Sequence, residues 1–580
     1  MFLAASSDAY AQFGILVNGQ DVYEATHTDS FEGFEQYLAH IYVNSGDYCQ
    51  LYDIGNQVAW VKTLNSSSVS AFSLQGDRYV CSASACYDFY IKIKNNADEL
   101  YIGPGSGCGD TPGGGDTPGG GTDPVVPSDY ASAVPSECGD IMLQAFYWNS
   151  NTDNGYGNTK WQTLSGQVSE ISSYFDMVWL PPSAQASGIS QGGLGYIPLI
   201  YSRQNCRMGT PTELSGLISA LHNQGVRVIA DIVINHIGNS SGNCDGLKTH
   251  DFGSYGSFSP TKDWLTKNDE GGCGSTGNDD DGQHDANYPS ARDWDHKNVN
   301  VQNMCKAYLQ WMKGEMKYDG WRYDYAGGFH VSHINAYNTA SKPYFSVIEY
   351  WLGDAGVLKQ RIDEAGKNTL AFDFDAKYNV YRDGIYKKNY SKCKNAGLRG
   401  KGYSKYAVTF IDNHDTFNRQ NGNEPNEKGD GSSINDQSLM MRCNAYLLSM
   451  PGVPCVFWPH WMKYKSEIKK MITARKKAGI HSESTVTEEA GSGYYRATVQ
   501  GKYGSVKLML GTAANDNAPA GYTQAIKGSD YAVYYTGNGT FDVETVGANK
   551  AAQAEKFLEN GQLFIRCGEH VYDAQGRLVQ

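Results

Sequence analysis

The sequence predicts an α/β protein built on a (β/α)8 TIM barrel, with an antiparallel β domain after the barrel and a β-sandwich before it. Apolar β-rich runs alternate with helical patterns through the middle of the 580-residue chain, as a parallel sheet with crossover helices requires. The third such run, VRVIADIVINH, is apolar almost throughout, which is typical of a strand buried on both faces. Alternating runs near both ends, such as YDFYIKIK, favour antiparallel strands.

Eight strand candidates can be placed in the barrel region. They are Ile141–Trp148, Met177–Pro182, Val226–His236, Asp319–Ala326, Tyr344–Tyr350, Leu370–Ala376, Tyr406–Asp415 and Val453–Trp458. Helical patterns lie between them, for example the apolar stripe that starts at Val299. A barrel of this kind has its active site at the carboxyl ends of the strands.

A Gly/Pro/Asp/Thr-rich segment gives the clearest domain boundary. It contains the repeat GDTPGGG and lacks an apolar period, so we expect a flexible linker. The predicted domains are a β-sandwich over 1–103, the linker over 104–136, the barrel over 137–483, and a C-terminal β domain with a tail over 484–580. The largest barrel insertion, 237–298, follows the third strand and is rich in Gly and Asp.

Composition excludes several classes of function. The net charge of -14 argues against a nucleic-acid partner, because phosphate binding needs a basic face. No apolar run reaches about 18 residues, so no membrane span is expected. None of the 13 Cys forms a C-x-x-C pair, which disfavours a zinc ribbon. Aromatic residues make up 12% of the chain and suit either half-buried strands or stacking on sugar rings.

The N-terminal residues bear on location. Ala9-Tyr10-Ala11 matches the small-residue pattern before a signal cleavage site, but no basic or apolar region precedes it. Either a signal peptide has been trimmed or the match is chance. We expect that a signal peptide has been trimmed, and hence that the protein is secreted, cell-surface or periplasmic. Separately, we expect a monomer.

Polar residues interrupt the apolar strands at four carboxyl ends. They are Asp231, Asn235 and His236 on the third strand, Arg322 and Asp324 on the fourth, Glu349 on the fifth, and Asp412, His414 and Asp415 on the seventh. Burying so many carboxylates costs stability unless they are paired or functional. One such residue could be structural, but four converging strand ends favour a catalytic site.

These strand ends resemble the four signature regions of the α-amylase superfamily, glycoside hydrolase family thirteen, most of all its plant-type members. The resemblance runs roughly from Asp140 to Tyr535 and includes LQAFYW, GYIP, PGVPCVFW, GIHSES and GSDYAVY. It implies a retaining α-amylase that cleaves internal α-1,4 bonds of starch, amylose and maltooligosaccharides.

The resemblance assigns the catalytic roles. Asp324 aligns with the nucleophile, Glu349 with the general acid/base and Asp415 with the transition-state-stabilising carboxylate. Retaining glycosidases hold the first two about 5–5.5 Å apart. Arg322, two residues before Asp324, faces the same side of the strand and would keep Asp324 ionised. Glu349 needs a raised pKa, which like-charge repulsion from Asp415 would supply.

Further residues are predicted to bind substrate. The set is Tyr196, His236, Arg322, Trp351 and His414. By resemblance the two histidines donate to sugar hydroxyls, Tyr196 stacks on a sugar, and Trp351 lies on the leaving-group side. Gly327 departs from the family pattern, which commonly has a Lys there that contacts the leaving-group side.

A calcium site is also implied by the resemblance. Asn235 and Asp293 align with ligands, the Gly328 carbonyl is the third expected ligand, and Asp280 and Asp285 are the best candidates in the acidic run. Hard oxygen ligands of this kind suit Ca²⁺. The alternative is a solvated acidic loop.

The N-terminal region resembles small starch-binding modules through YDFYIKIKNNADELYIG. Two other functions remain open. A non-catalytic α-glucan-binding protein is disfavoured by the intact carboxylates. A debranching or transferring enzyme of the same superfamily is disfavoured by the plant-type C-terminal motifs.

Overall fold

The structure is a computed structural model that divides the chain into two compact units, Met1–Gly121 and Thr122–Gln580. It describes residues 13–17, 21–31, 34–43, 47–53, 58–60, 72–75, 78–82, 85–93, 99–104, 128–153, 155–186, 194–238, 246–267, 278, 282, 291–417, 432–539, 555–559, 562–567 and 570–573.

Two antiparallel sheets share one apolar core in the first unit. One sheet contains Phe13–Val17, Asp21–Glu24, Tyr48–Asp53, Val58–Trp60, Phe72–Gln75 and Arg78–Cys81. The other contains Thr26–Phe31, Phe34–Val43, Ala85–Ile93 and Glu99–Pro104. Ile15 of the first sheet and Phe89 of the second are both fully buried. The predicted β-sandwich therefore forms through alternating inward-facing residues.

Eight parallel strands close into a barrel in the order in which they occur along the chain. They are Met142–Gln144, Met177–Leu180, Arg227–Ile232, Gly320–Tyr323, Phe345–Ile348, Leu370–Phe372, Ala407–Phe410 and Val453–Phe457. Each lies within one of the eight predicted segments, so the predicted barrel is confirmed. The observed strands are shorter because the polar carboxyl ends leave the ladder and form the rim.

Helices surround the barrel. The α-helices are Trp161–Ser165, Val168–Ser172, Pro211–His222, Val299–Gly314, Ser332–Ser341, Ala355–Glu364, Gly397–Gly400, Gln437–Ser449 and Trp458–Ala478. A π-helix, Ala376–Tyr386, follows the sixth strand. The helix predicted from Val299 does start there, and the Asn298 side chain caps its first turn. No helix in the described ranges is long and apolar enough to cross a membrane.

Short elements make up the connections. The 3-10 helices are Gly253–Tyr255, Lys262–Trp264, Tyr390–Cys393, Ser404–Tyr406, Ser432–Asn435 and Thr512–Asn515. Short strand pairs join Gln185–Ala186 to Pro198–Ile200, His236–Ile237 to Arg292–Asp293, and His250–Asp251 to Ser257–Phe258. The second of these pairs returns the end of the long insertion to the third barrel strand.

An antiparallel sheet follows the barrel, as predicted. Its strands are Thr485–Ala490, Tyr494–Gln500, Ser505–Gly511, Thr523–Lys527 and Tyr531–Tyr535. Tyr495 and Leu508 are fully buried in the same apolar cluster as the barrel. The tail contains a three-stranded antiparallel meander of Glu555–Glu559, Gln562–Cys567 and His570–Asp573.

Candidate active site

Asp324 and Glu349 stand next to each other at the ends of the fourth and fifth barrel strands. The Asp324 N–H donates to the Ile232 carbonyl, and the Glu349 N–H donates to the Tyr323 carbonyl, each at 3.0 Å. Both residues thus extend the parallel ladder by one position onto the rim where barrel active sites lie. They are 8% and 5% exposed, so little water reaches either carboxylate.

One guanidinium group joins three carboxylates at this rim. Arg322 Nη1 donates to Asp231 Oδ1 and to Asp324 Oδ1, each at 2.7 Å. Arg322 Nη2 lies 2.7 Å from Glu349 Oε1 in an ion pair that falls outside hydrogen-bond geometry. Because nitrogens of the same planar group contact Asp324 and Glu349, those two carboxylates are close neighbours around a fully buried cation.

Burial raises the pKa of Glu349 to about 8. The Arg322 charge opposes this shift, whereas the negative charges of Asp324 and Asp415 add to it. The Tyr325 N–H also donates to Glu349 Oε2 at 3.1 Å and lowers the pKa slightly. Repulsion from Asp415, which the sequence suggested as the cause, is therefore secondary to desolvation. Glu349 carries a proton at neutral pH and can donate it.

Asp231 belongs to the cluster, although the sequence gave it no role beyond interrupting an apolar strand. It is paired in register with Arg322. The Tyr196 hydroxyl donates to Asp231 Oδ2 at 2.7 Å, and Trp179 Nε1 donates to the same oxygen at 3.2 Å. Burial raises the pKa of Asp231 to about 7, although the positive charge of Arg322 acts to lower it. The only sequence signal was a single acid within DIVINH.

Asp415 lies on a tight turn after the seventh strand. Its N–H donates to Asn413 Oδ1 at 2.9 Å, and its Oδ2 lies 3.2 Å from His414 Nε2. The Gln144 side-chain amide contacts the other ring nitrogen, His414 Nδ1, at 3.1 Å. The two ring nitrogens of His414 thus face Gln144 and Asp415, and these contacts fix the orientation of the ring.

Aromatic rings form one wall of the site. The Tyr196 and His414 rings stack with centroids 5.0 Å apart and planes 5° apart. Trp148, which ends the LQAFYW motif but was not singled out from the sequence, lies parallel to Tyr196 at 6.0 Å. His236 Nε2 is 2.8 Å from the Tyr196 carbonyl. Tyr196, His236 and His414, predicted separately as substrate contacts, therefore meet in one place.

Trp351 lies at the edge of the site, two residues after Glu349, and is 39% exposed. Its ring stacks on Phe374 at 5.1 Å, and its Nε1 donates to the Tyr378 hydroxyl at 2.6 Å. The indole is therefore held from behind while its outer face is open. Gly327 contributes no side chain on this side of the site.

Three of the expected calcium ligands come together beside the third strand. Asn235 Oδ1 is buried and has no hydrogen-bond partner among the described residues. Asn235 Nδ2 donates to Asp293 Oδ1 at 3.4 Å, and a Cβ on Gly328 would lie only 2.1 Å from Asn235 Oδ1. An unsatisfied amide oxygen beside a carboxylate and a bare backbone fits a hard cation.

The other two expected ligands, Asp280 and Asp285, lie outside the described residues. Within the described ranges, no group of three or more His, Cys, Asp or Glu side chains could hold a metal ion. Asn235 and the Gly328 carbonyl are outside that set of ligand types, so the fit to calcium depends on amide and backbone oxygens.

Comparisons with known proteins agree with the resemblance. No family model matches the chain. Chloroplastic alpha-amylase 3 of Arabidopsis thaliana is 30% identical over 422 residues, which cover 68% of this chain and 44% of that protein. Probable alpha-amylase 2 of the same plant is 29% identical over 421 residues, covering 68% of this chain and 94% of that protein. The chain thus spans less than half of the first relative and most of the second.

More distant relatives are bacterial. Glucan 1,4-alpha-maltotetraohydrolase of Stutzerimonas stutzeri is 26% identical over 440 residues, covering 70% of this chain and 75% of that protein. The crystal structure of an Anoxybacillus alpha-amylase matches with a TM-score of 0.51 and 14% identity over 70% of this chain and 99% of that one. At that identity the structural match supports the fold alone.

Proposed function

Because the chain belongs to the α-amylase family of glycoside hydrolases, we propose that it hydrolyses internal α-1,4-glucosidic bonds with retention of anomeric configuration. The observation that carries the proposal is that one buried cation, Arg322, contacts both the Asp324 and Glu349 carboxylates. A retaining glycosidase needs two such groups about 5–5.5 Å apart, one ionised and one protonated.

In the first step, Asp324 attacks the anomeric carbon and forms a covalent ester while the glycosidic C–O bond breaks. Glu349 gives its proton to the departing oxygen, which leaves as an alcohol. The hydrogen bond from Arg322 Nη1 to Asp324 Oδ1 orients the Asp324 carboxylate for this attack. The raised pKa of Glu349 keeps the required proton in place at neutral pH.

In the second step, Glu349 is a carboxylate and takes a proton from a water molecule that attacks the anomeric carbon, and the bond between that carbon and the Asp324 oxygen breaks. The sugar is released with its original configuration, and both carboxyl groups return to their starting states. Asp415 stabilises the positive charge that develops on the sugar ring in both steps. The contact between His414 Nε2 and Asp415 supports this role by fixing the carboxylate.

The proposed substrates are starch, amylose and maltooligosaccharides. Tyr196 offers a ring for stacking, and His236 and His414 are the proposed donors to sugar hydroxyls around the cleaved bond. Trp351 is the proposed contact on the leaving-group side, and its exposed face supports this assignment. The names of the plant and bacterial relatives support this class of substrate.

A calcium ion is part of the proposal. Asn235, Asp293 and the Gly328 carbonyl would hold it, with Asp280 and Asp285 as further ligands from the insertion. Bound Ca²⁺ would be coordinated by these protein oxygens and would thereby tie the insertion to the barrel rim. The unsatisfied Asn235 Oδ1 is the observation that supports this site.

The remaining parts of the chain extend the proposal. Residues 1–103 would act as a starch-binding module joined by the linker to residues 137–483 and 484–580. A monomer that is secreted or held at the cell surface or in the periplasm remains a prediction from the sequence.

Digestion of amylose by wild type and an Asp324→Asn variant tests the function. We expect a broad range of oligosaccharides early in the wild-type reaction and a loss of roughly a thousandfold or more in the variant. Asp363→Asn is the matched control, since that carboxylate pairs with Lys359 on an outer helix. Equal behaviour of wild type and Asp324→Asn would identify a non-catalytic binder. Products longer than the substrate would identify a transferase.

A further inference from the structure

Three buried side chains from three successive βα units meet beside the turn that carries Asp415. Lys377 lies in the first turn of the π-helix after the sixth strand, Asp412 follows the seventh strand, and His460 lies in the helix after the eighth. Lys377 Nζ is 2.9 Å from Asp412 Oδ1, and His460 Nε2 is 3.0 Å from Asp412 Oδ2. All three residues are at most 2% exposed.

A hydrogen-bonded turn links Asp412 to Asp415. Asn413 Oδ1 accepts from the N–H groups of Asp415 at 2.9 Å and Thr416 at 2.8 Å. Thr416 Oγ1 accepts from the Asn413 N–H at 3.0 Å and donates to Asp412 Oδ1 at 3.4 Å. A displacement of the Asp412 carboxylate would therefore move the backbone that carries Asp415.

The charges in this group are arranged to hold Asp412 ionised. Burial alone would raise the pKa of Asp412, but the Lys377 charge and the His460 contact outweigh it, and the pKa lies below its usual value. A buried ion pair of this kind adds little net stability, because desolvation offsets the attraction. Fixing a unique local geometry is the better-supported use for such a pair.

We propose that Lys377 is a positioning residue for Asp415, acting through Asp412 and the turn of residues 412–416. This inference rests on the proposed function. It extends that function by assigning a role to a side chain that does not line the substrate site. Lys377 anchors the seventh strand end to the π-helix, so the carboxylate that stabilises the transition state is held against the sixth βα unit.

The test uses a double variant, Lys377→Met/Asp412→Asn, which removes both members of the Lys377–Asp412 ion pair together, so that neither is left without the other, and which keeps a polar amide facing His460. We expect kcat on maltooligosaccharides to fall about 10- to 100-fold because a small displacement of a catalytic group is costly. KM should stay within about threefold of wild type, since ground-state binding is retained. The Tm should change little.

The matched control is Arg399→Met/Glu488→Gln, which removes a partly buried ion pair, with Nη1 and Oε1 2.8 Å apart, between the barrel region and the C-terminal sheet. Its kcat should equal that of wild type. A double variant at Lys377 and Asp412 that behaves like this control would overturn the proposal. Equal changes in kcat and KM, together with a lowered Tm, would also overturn the proposal.

A second variant, Thr416→Val, is nearly isosteric. It removes the hydroxyl that links the Asn413 N–H to Asp412 Oδ1, and it keeps both charged groups of the ion pair. We expect its kcat to fall about 3- to 10-fold with KM unchanged. If the double variant fails to fold, this result decides: a wild-type kcat overturns the proposal and a selective loss supports it. A wild-type enzyme that leaves α-1,4-glucans uncut would refute the proposed function, a separate outcome.

Discussion

The Arg322 guanidinium lies 2.7 Å from Glu349 Oε1, and burial still raises the pKa of Glu349 to about 8. The same cation donates to Asp324 and Asp231. One positive charge shared by three buried carboxylates does not keep all of them ionised. The proton settles on Glu349 at neutral pH, and this division distinguishes the proposed acid, Glu349, from the proposed nucleophile, Asp324.

The pH dependence of kcat/KM should reflect this proton. Glu349 must be protonated to act as an acid, so activity should fall as pH rises through about 8. Asp415→Asn removes a charge that raises this pKa, so the alkaline limb of its residual activity should move to lower pH. Asp363→Asn should leave the limb in place. An alkaline limb in the Asp415→Asn variant that stays fixed or moves upward would contradict this assignment.

Removing the Glu349 carboxyl should stabilise the folded protein at alkaline pH. Its folded pKa, about 8, lies above its ordinary value of 4.5, so wild-type stability is lost as pH rises through this window. Glu349→Gln lacks that penalty. The Tm advantage of Glu349→Gln over wild type should grow by several degrees as the pH rises from about 4.5 to above 8, as measured by calorimetry. An advantage that shrinks with rising pH would refute the linkage.

The barrel and the neighbouring positions of Asp324 and Glu349 on its rim were predictable from local patterns. Continuous apolar runs identify buried parallel strands, and barrel topology brings their carboxyl ends to one rim. That reasoning placed Asp324 and Glu349 on adjacent strand ends, and the resemblance supplied the roles proposed for them. The predicted strands are longer than the observed ones because buried apolar residues such as Tyr350 continue into the rim after the hydrogen-bonded ladder has ended.

Contacts between distant segments were not predictable. Asp231 accepts a hydrogen bond from the Tyr196 hydroxyl, and Asp412 forms an ion pair with Lys377. The two residues of each pair are 35 positions apart in the sequence. Their meeting depends on how the βα units pack after the strands have formed. A single charged residue in an apolar run signals only that a partner exists, and its identity comes from the closed barrel.

Calcium should stabilise the folded chain. Ligand binding to the folded state alone adds about 2.7 kcal/mol at a hundredfold excess over Kd, so chelation should lower the Tm by several degrees. Asn235→Ala should abolish the calcium-dependent part of that shift, because Asn235 Oδ1 is the unsatisfied oxygen of the site. Asn335→Ala, on an outer helix, serves as the control. The site is wrong if verified metal removal leaves the wild-type Tm unchanged.

Trp351 should set affinity on the leaving-group side. Its loss removes one exposed stacking face, and aromatic contacts of this kind contribute about 0.5–1.5 kcal/mol, so KM for long maltooligosaccharides should rise about 2- to 10-fold in Trp351→Ala. The kcat should change less, since the carboxylates are untouched. Tyr503→Ala, an exposed tyrosine outside the site, is the control. An unchanged KM with an altered kcat would remove Trp351 from substrate binding.

The most direct test of the account is the anomeric form of the first product, followed by proton NMR during hydrolysis of a maltooligosaccharide. Attack by Asp324 and then by water inverts the anomeric carbon twice, so the account predicts that the α-anomer appears first and relaxes to the equilibrium mixture. Initial release of the β-anomer would mean a single displacement by water and would contradict the roles given to Asp324 and Glu349.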